Sequence, residues 1–130
     1  MPLGHDILDW LYEVSVVGSY SKLGYQHRAE QFESIEHDPE VDQKTFIVTG
    51  ANSGIGLAAT EQLLKLGAGV IMACRSFERS FKVYTELMEK FPKARLEMRP
   101  VDVSDLHNVD AFCDWLEQST DSIDGIIHNA

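Results

Sequence analysis

An α/β fold with a parallel, doubly wound sheet is predicted by three observations. Four strand-like runs at residues 45–48, 69–74, 96–101 and 125–128 alternate with three segments whose apolar residues recur at helical spacing. Residues 45–48 and 69–74 lack the polar alternation of a half-exposed strand, as expected for strands buried on both faces. A glycine-rich turn joins the first strand to the first helix. The order βαβαβαβ requires crossover connections, with helices on both faces of the sheet.

Each element has a local cause. Thr45-Phe46-Ile47-Val48 is a short β-branched, apolar run. Ile55, Ala59, Leu63 and Leu66 then follow at helical spacing, and Gly67 stops the helix. Residues 69–74, Gly-Val-Ile-Met-Ala-Cys, form the second strand. Ser76 suits the N-cap of the next helix. Phe77, Phe81, Tyr84, Met88 and Phe91 make one apolar stripe, read as core packing, and Pro92 ends it. Residues 96–101 form a third strand. Leu106, Val109, Phe112, Cys113 and Leu116 mark a third helix, with Ser104 as its expected cap. Residues 125–128 form the fourth strand.

Composition narrows the function classes. The 130 residues are 44% hydrophobic and 25% charged, as in ordinary globular proteins. The formal net charge of -10 argues against a nucleic-acid partner held by clustered Lys and Arg, and against a basic patch for anionic lipid. Residues 1–43 carry nine acids against two bases, whereas residues 44–130 carry twelve against nine. No run of 18 apolar residues offers a transmembrane segment, and the N-terminus has no signal peptide pattern. Cys74 and Cys113 lie in apolar stretches without a CxxC partner. They read as free buried thiols, suited to a cytoplasmic or other reducing compartment.

The chemistry is concentrated in Thr49-Gly50-Ala51-Asn52-Ser53-Gly54-Ile55-Gly56, spaced G-x-x-x-G-x-G. The first glycine permits a tight turn out of the strand. The later ones let the backbone approach a pyrophosphate and the helix pack on the sheet. The helix N-terminus offers free N–H groups and partial positive charge. A P-loop is excluded, because no Gly-Lys-Ser/Thr follows. Where an acid would hold the ribose 2′-OH of NAD, the second strand ends in Arg75, whose planar fork suits the 2′-phosphate of NADP. A solvated surface arginine is the alternative. Asp102 and Val103 follow the third strand at its carboxyl end. Asp102 is either an acceptor for an adenine amino group or a residue leading into the third helix.

Thr49-Gly50-x-x-x-Gly54-x-Gly56, the Asp102-Val103 pair and the terminal Asn129-Ala130 resemble the cofactor-binding signatures of the classical short-chain dehydrogenase/reductase family. The glycine string with Ala73-Cys74-Arg75 is similar to its retinol-dehydrogenase-like members. Residues 1–43, with Gly24-Tyr25 and Phe32, resemble the N-terminal arm of the dehydrogenase/reductase member-twelve type. The resemblance implies a Rossmann-type sheet and an NADP-dependent oxidoreductase acting on a small apolar carbonyl or alcohol. It implies a cofactor site of Gly50, Asn52, Ser53, Gly54, Ile55, Gly56, Arg75, Asp102, Val103, Asn129 and Ala130. The family's usual Asn-Asn-Ala-Gly reads His128-Asn129-Ala130 here; Asn129 matches the asparagine that steadies the central strands.

The family's chemistry uses a tyrosine as general acid/base, a lysine four residues on, and a serine that polarises the carbonyl. Tyr12, Tyr20, Tyr25 and Tyr84 are followed four residues later by Val16, Gly24, Ala29 and Met88. No residue is therefore assigned a catalytic role. The expectation is the first, cofactor-binding half of the fold at residues 44–130, truncated at its C-terminus, behind a partly helical amphipathic arm and acidic linker at residues 1–43. A non-catalytic nucleotide-binding module is the alternative. A Rossmann-like methyltransferase fits the glycine spacing and Arg75 less well. The arm reads either as a leading segment that packs on the domain or frays, or as an apolar cover over a substrate entrance or a weak interfacial helix.

Overall fold

The computed structural model describes residues 39–130, together with Tyr25 and Gln26. The chain divides into two units, residues 1–34 and 35–130. In the first, Tyr25 and Gln26 are helical and exposed. Residues 39–43, the end of the acidic linker, form a turn; the remaining readings for the N-terminal arm, its member-twelve likeness included, lie outside the described residues.

The second unit is a four-stranded parallel sheet with three helices. Its elements are β1 (Thr45–Thr49), α1 (Gly54–Lys65), β2 (Gly69–Cys74), α2 (Phe77–Lys90), β3 (Leu96–Pro100), α3 (Leu106–Ser119) and β4 (Gly125–Ile127). The strand order is β3-β2-β1-β4, all parallel. The fold is of Rossmann type. The chain winds outward from β1 through β2 to β3, then crosses to the other side of β1 for β4. The reversal beside β1 is a topological switch point, where α/β sheets open a crevice at the strands' carboxyl ends.

Alternation along the strands builds a core on each face. Val48, Val70, Met72, Cys74 and Leu96 point to the side covered by α1 and α2 and pack with Leu64 and Leu87. Ile47, Ile71, Ala73 and Val101 point to the other side and meet Phe112, Trp115 and Leu116 of α3. Every residue of β2 is buried, which is why this strand carries no polar residue. The edge strand β3 alternates instead. Its Arg99 lies over the Trp115 ring at 3.9 Å, so a charged side chain covers an aromatic while its head stays in water.

The end of α1 follows its sequence signal. Gly67 has φ +90. Gly67 N–H donates to Leu64 O (3.1 Å) and Ala68 N–H to Leu63 O (3.0 Å), which forms a Schellman motif. The Arg95 guanidinium donates to the carbonyls of Asp42, Lys44 and Gly67, tying the entry to β1 against this turn. Asp124 accepts from Thr45 N–H at 2.8 Å and donates its own N–H to Thr45 O at 2.9 Å, which fixes the start of β4.

Four expectations are corrected. The buried face of α1 runs through Gly56, Thr60 and Leu64, one position on from the Ile55-Ala59-Leu63 row. Small residues there let the helix lie close to the sheet, and Ile55 is left 80% exposed. Phe77 and Phe81 are 55% and 52% exposed and stack on each other with centroids 5.9 Å apart. Only the later part of that stripe, from Tyr84 to Phe91, packs against the core. Cys74 is buried but Cys113 is exposed, because α3 turns its Phe112, Trp115 and Leu116 side to the sheet. The cap of α3 is Asp105, which accepts from His107 N–H at 3.0 Å, rather than Ser104, whose hydroxyl goes to Asp102.

Met72 is 0% exposed at the centre of β2. Met72→Ala should cost about 2–5 kcal/mol in transfer and cavity terms. Cys113→Ser, at an exposed site, should stay within about 0.5 kcal/mol. Urea unfolding with a common m-value checks both.

Candidate functional site

The carboxyl ends of the four strands converge on an open cleft of about 370 Å³. Its walls come from the turn after β1 (Gly50, Asn52), the end of β2 with the start of α2 (Arg75, Ser76, Arg79), and the turn after β3 (Asp102, Val103, Ser104). Ala130, just past β4, closes one side.

The turn after β1 is shaped by two glycines with left-handed backbone, Gly50 at φ 64 and Gly54 at φ 54. Such angles cost other L-residues about 1–2 kcal/mol. Gly50 N–H donates to Ala73 O at 2.9 Å, extending the β1–β2 ladder into the turn. Nothing lies within 4 Å of where a Cβ on Gly54 would stand, so this backbone faces open space. Gly56 is the opposite case. A Cβ there would overlap the Gly50 carbonyl oxygen and stand 2.5 Å from Asn129 Nδ2.

Thr49 and Asn129 lock β4 to this turn. Thr49 Oγ1 donates to Ile127 O at 3.4 Å and accepts from the N–H groups of Asn129 (2.9 Å) and Ala130 (3.1 Å). Asn129 Nδ2 donates back to Thr49 O (3.2 Å) and Gly50 O (3.3 Å). The Asn129 side chain is thus spent on holding strand ends together. Its neighbour His128 is exposed.

Ser53 occupies the N-cap of α1 in extended conformation, and its side chain makes no cap hydrogen bond. The first-turn N–H groups of α1 therefore face outward without a side-chain oxygen from Ser53, the arrangement that favours an anion. Ser53, Gly54 and Ile55 are all exposed there, beside the cleft but not among its lining residues.

Arg75, Arg79 and Asp102 all line the cleft, the two arginines four residues apart around the start of α2. Asp102 Oδ1 accepts from Ser104 Oγ at 2.6 Å and Ser104 N–H at 3.0 Å. The Ser104 hydroxyl, then its N–H, then the Arg75 charge hold this carboxyl below its ordinary value. In a protein of net charge -10, the cleft is a locally positive, anion-accepting place. Arg79 is the member that sequence reading does not single out, because its place beside Arg75 depends on where the first turn of α2 falls.

Asn52 connects two walls. Its Nδ2 donates to Ser80 Oγ at 3.2 Å, and Ser80 Oγ donates to Ser76 O at 2.7 Å. Among the described residues, no group of three or more His, Cys, Asp or Glu is placed to hold a metal. No helix among them is long and apolar enough to cross a membrane.

Comparison with known proteins identifies the family. The family model for short chain dehydrogenases matches residues 44–130. Mouse retinol dehydrogenase 14 is 37% identical over 97 residues, covering 67% of this chain and 29% of that protein. The WW domain-containing oxidoreductase of Danio rerio is 35% identical over 96 residues, covering 74% of this chain and 23% of that protein. An NADPH-bound short chain oxidoreductase from Pseudomonas aeruginosa PAO1, described as having an atypical catalytic center, superposes with TM-score 0.65 at 37% identity; 69% of this chain and 35% of that chain are covered. L-sorbose reductase from Gluconobacter frateurii, complexed with NADPH and L-sorbose, superposes with TM-score 0.64 at 33% identity, over 69% and 34%. The chain thus spans between about a quarter and a third of the length of these proteins.

Gly56→Ala should destabilise the fold by about 3 kcal/mol, the upper part of the overpacking range. Gly54→Ala should cost only the left-handed penalty of about 1–2 kcal/mol. Thermal or urea unfolding of both variants checks the order. Asp102 has a lower pKa in the fold than in the unfolded chain. The stability this contributes is present above the ordinary carboxylate range and is lost as pH falls through the lowered folded value. Ser104→Ala should move the Asp102 midpoint upward in a carboxyl NMR titration.

Proposed function

The chain belongs to the short-chain dehydrogenase family, and from that premise we propose that it is the cofactor-binding part of an NADP-dependent oxidoreductase. Residues 44–130 form the nucleotide-binding unit in this reading, and residues 1–43 an arm ahead of it. The observation that carries the proposal is that Arg75 and Arg79 line the same switch-point cleft as the glycine turn. The NADPH complexes of the two structural neighbours support the same cofactor.

The residues fit such a group. The open backbone at Gly54 and the first-turn N–H groups at Ser53, Ile55 and Gly56 suit a pyrophosphate, which carries charge and needs close approach. Gly50 and Asn52 shape the same wall. Arg75 and Arg79 suit the 2′-phosphate that distinguishes NADP from NAD, through charge-assisted, forked hydrogen bonds. Asp102, kept anionic by Ser104, suits an adenine amino group, with Val103 as the apolar neighbour. Asn129 and Ala130 hold the turn and the end of β4 in register.

When bound, the nicotinamide supplies a hydride donor or acceptor for a carbonyl or alcohol. The chain's own residues bind and orient the nucleotide. No tyrosine in these 130 residues has a lysine four positions on, so we assign no catalytic role within them. The likeness to retinol dehydrogenase 14 supports a small apolar alcohol or carbonyl as substrate class.

NADPH should bind more tightly than NADH by an amount equivalent to about 1.5–3 kcal/mol, the range for hydrogen bonds to charged groups. Arg75→Asp should remove most of that difference and leave NADH binding largely intact. Fluorescence or calorimetric titration of both cofactors measures it. Equal affinities before and after the substitution would overturn the assignment.

A further inference from the structure

We propose that Ser80 is a positioning residue for cofactor choice, acting through Asn52; this rests on the NADP reading above. Ser80 lies in α2, on the side that meets the core, and is 1% exposed. Burying a hydroxyl is unfavourable unless its hydrogen bonds are made. Here both roles are filled by parts of the cleft. Ser80 Oγ donates to the Ser76 carbonyl at 2.7 Å and accepts from Asn52 Nδ2 at 3.2 Å.

The two partners belong to two different segments that line the candidate site. Asn52 belongs to the glycine turn, the part that would meet the pyrophosphate shared by NAD and NADP. Ser76 lies between Arg75 and Arg79 in sequence, at the start of α2, the part that would meet the 2′-phosphate of NADP alone. Asn52, Ser76 and both arginines line the cleft, whereas Ser80 does not touch it. One buried hydroxyl therefore sets the spacing between the wall that any dinucleotide needs and the wall that only NADP uses. A ligand held at both walls is sensitive to that spacing. A ligand held at the glycine turn alone is not.

The test is titration of the full chain with NADPH and NADH, for the parent, Ser80→Ala, Asn52→Ala, the double variant and Arg75→Asp. Ser80→Ala should weaken NADPH by roughly three- to tenfold, the scale of one neutral hydrogen bond, and change NADH by less than about twofold on the same reasoning. The loss of NADPH-over-NADH preference in the double variant should be smaller than the sum of the single losses, because both act through one bond. Thermal unfolding accompanies each variant, and a lower melting temperature alone does not move the ratio of the two affinities. Equal loss for both cofactors, or an unchanged ratio while Arg75→Asp abolishes the preference, refutes the role of Ser80 and leaves the NADP reading standing. A parent chain with no NADPH preference, or with no binding of either cofactor, removes the NADP reading and this inference with it.

Discussion

Gly56 has no side chain, and the place of one is taken by the Gly50 carbonyl and the Asn129 amide. That close approach is the constraint on which the rest of the unit depends. It brings the start of α1 against the exit of β1. It lets Asn129 reach the carbonyls of Thr49 and Gly50, which brings the end of β4 to the same point. It leaves the first-turn N–H groups of α1 facing outward rather than into the sheet. Gly56, Thr60 and Leu64 continue the buried contact along the helix.

Polar groups at both ends of β1 convert this packing into a register. At the amino end Asp124 and Thr45 exchange hydrogen bonds, while Arg95 gathers three backbone carbonyls from Asp42, Lys44 and Gly67. At the carboxyl end the Thr49 hydroxyl serves β4 through three contacts. A parallel strand as short as β4 gains little from its own ladder, so these flanking bonds decide where it sits. The candidate site inherits that precision, because its walls are the residues immediately beyond the same strand ends.

Much of this was legible in the sequence, for identifiable reasons. The run from Gly69 to Cys74 has no polar residue and is buried throughout. The glycine spacing anticipated a tight turn and a close helix, and Gly67 anticipated the end of α1. What the pattern could not supply was phase and extent. Of the apolar row at 55, 59 and 63, Leu63 packs against the core, but the fully buried positions lie one residue on, because glycine and threonine leave room where isoleucine would not. An aromatic stripe does not reveal how far its neighbour extends, and Phe77 and Phe81 lie on the stripe yet are exposed. The cap of α3 depended on a competition between two hydroxyl and carboxylate partners, with Ser104 turned to Asp102 and Asp105 left to cap. Arg79 and Ser80 gained meaning only from the turn of α2 that sets them beside Arg75 and Asn52.

The positive cleft belongs to a strongly negative molecule, and the two fields act at different ranges. Two arginines against one aspartate attract an anion over a few ångströms. The excess of acids over bases in residues 44–130, twelve against nine, repels it over longer distances, up to the screening length of about 8 Å at physiological ionic strength. Added salt weakens the long-range repulsion and so speeds the arrival of an anionic occupant. It also loosens the hold of the arginines and so speeds departure. Ionic strength therefore governs how quickly the occupant is exchanged more than how much of the site is filled.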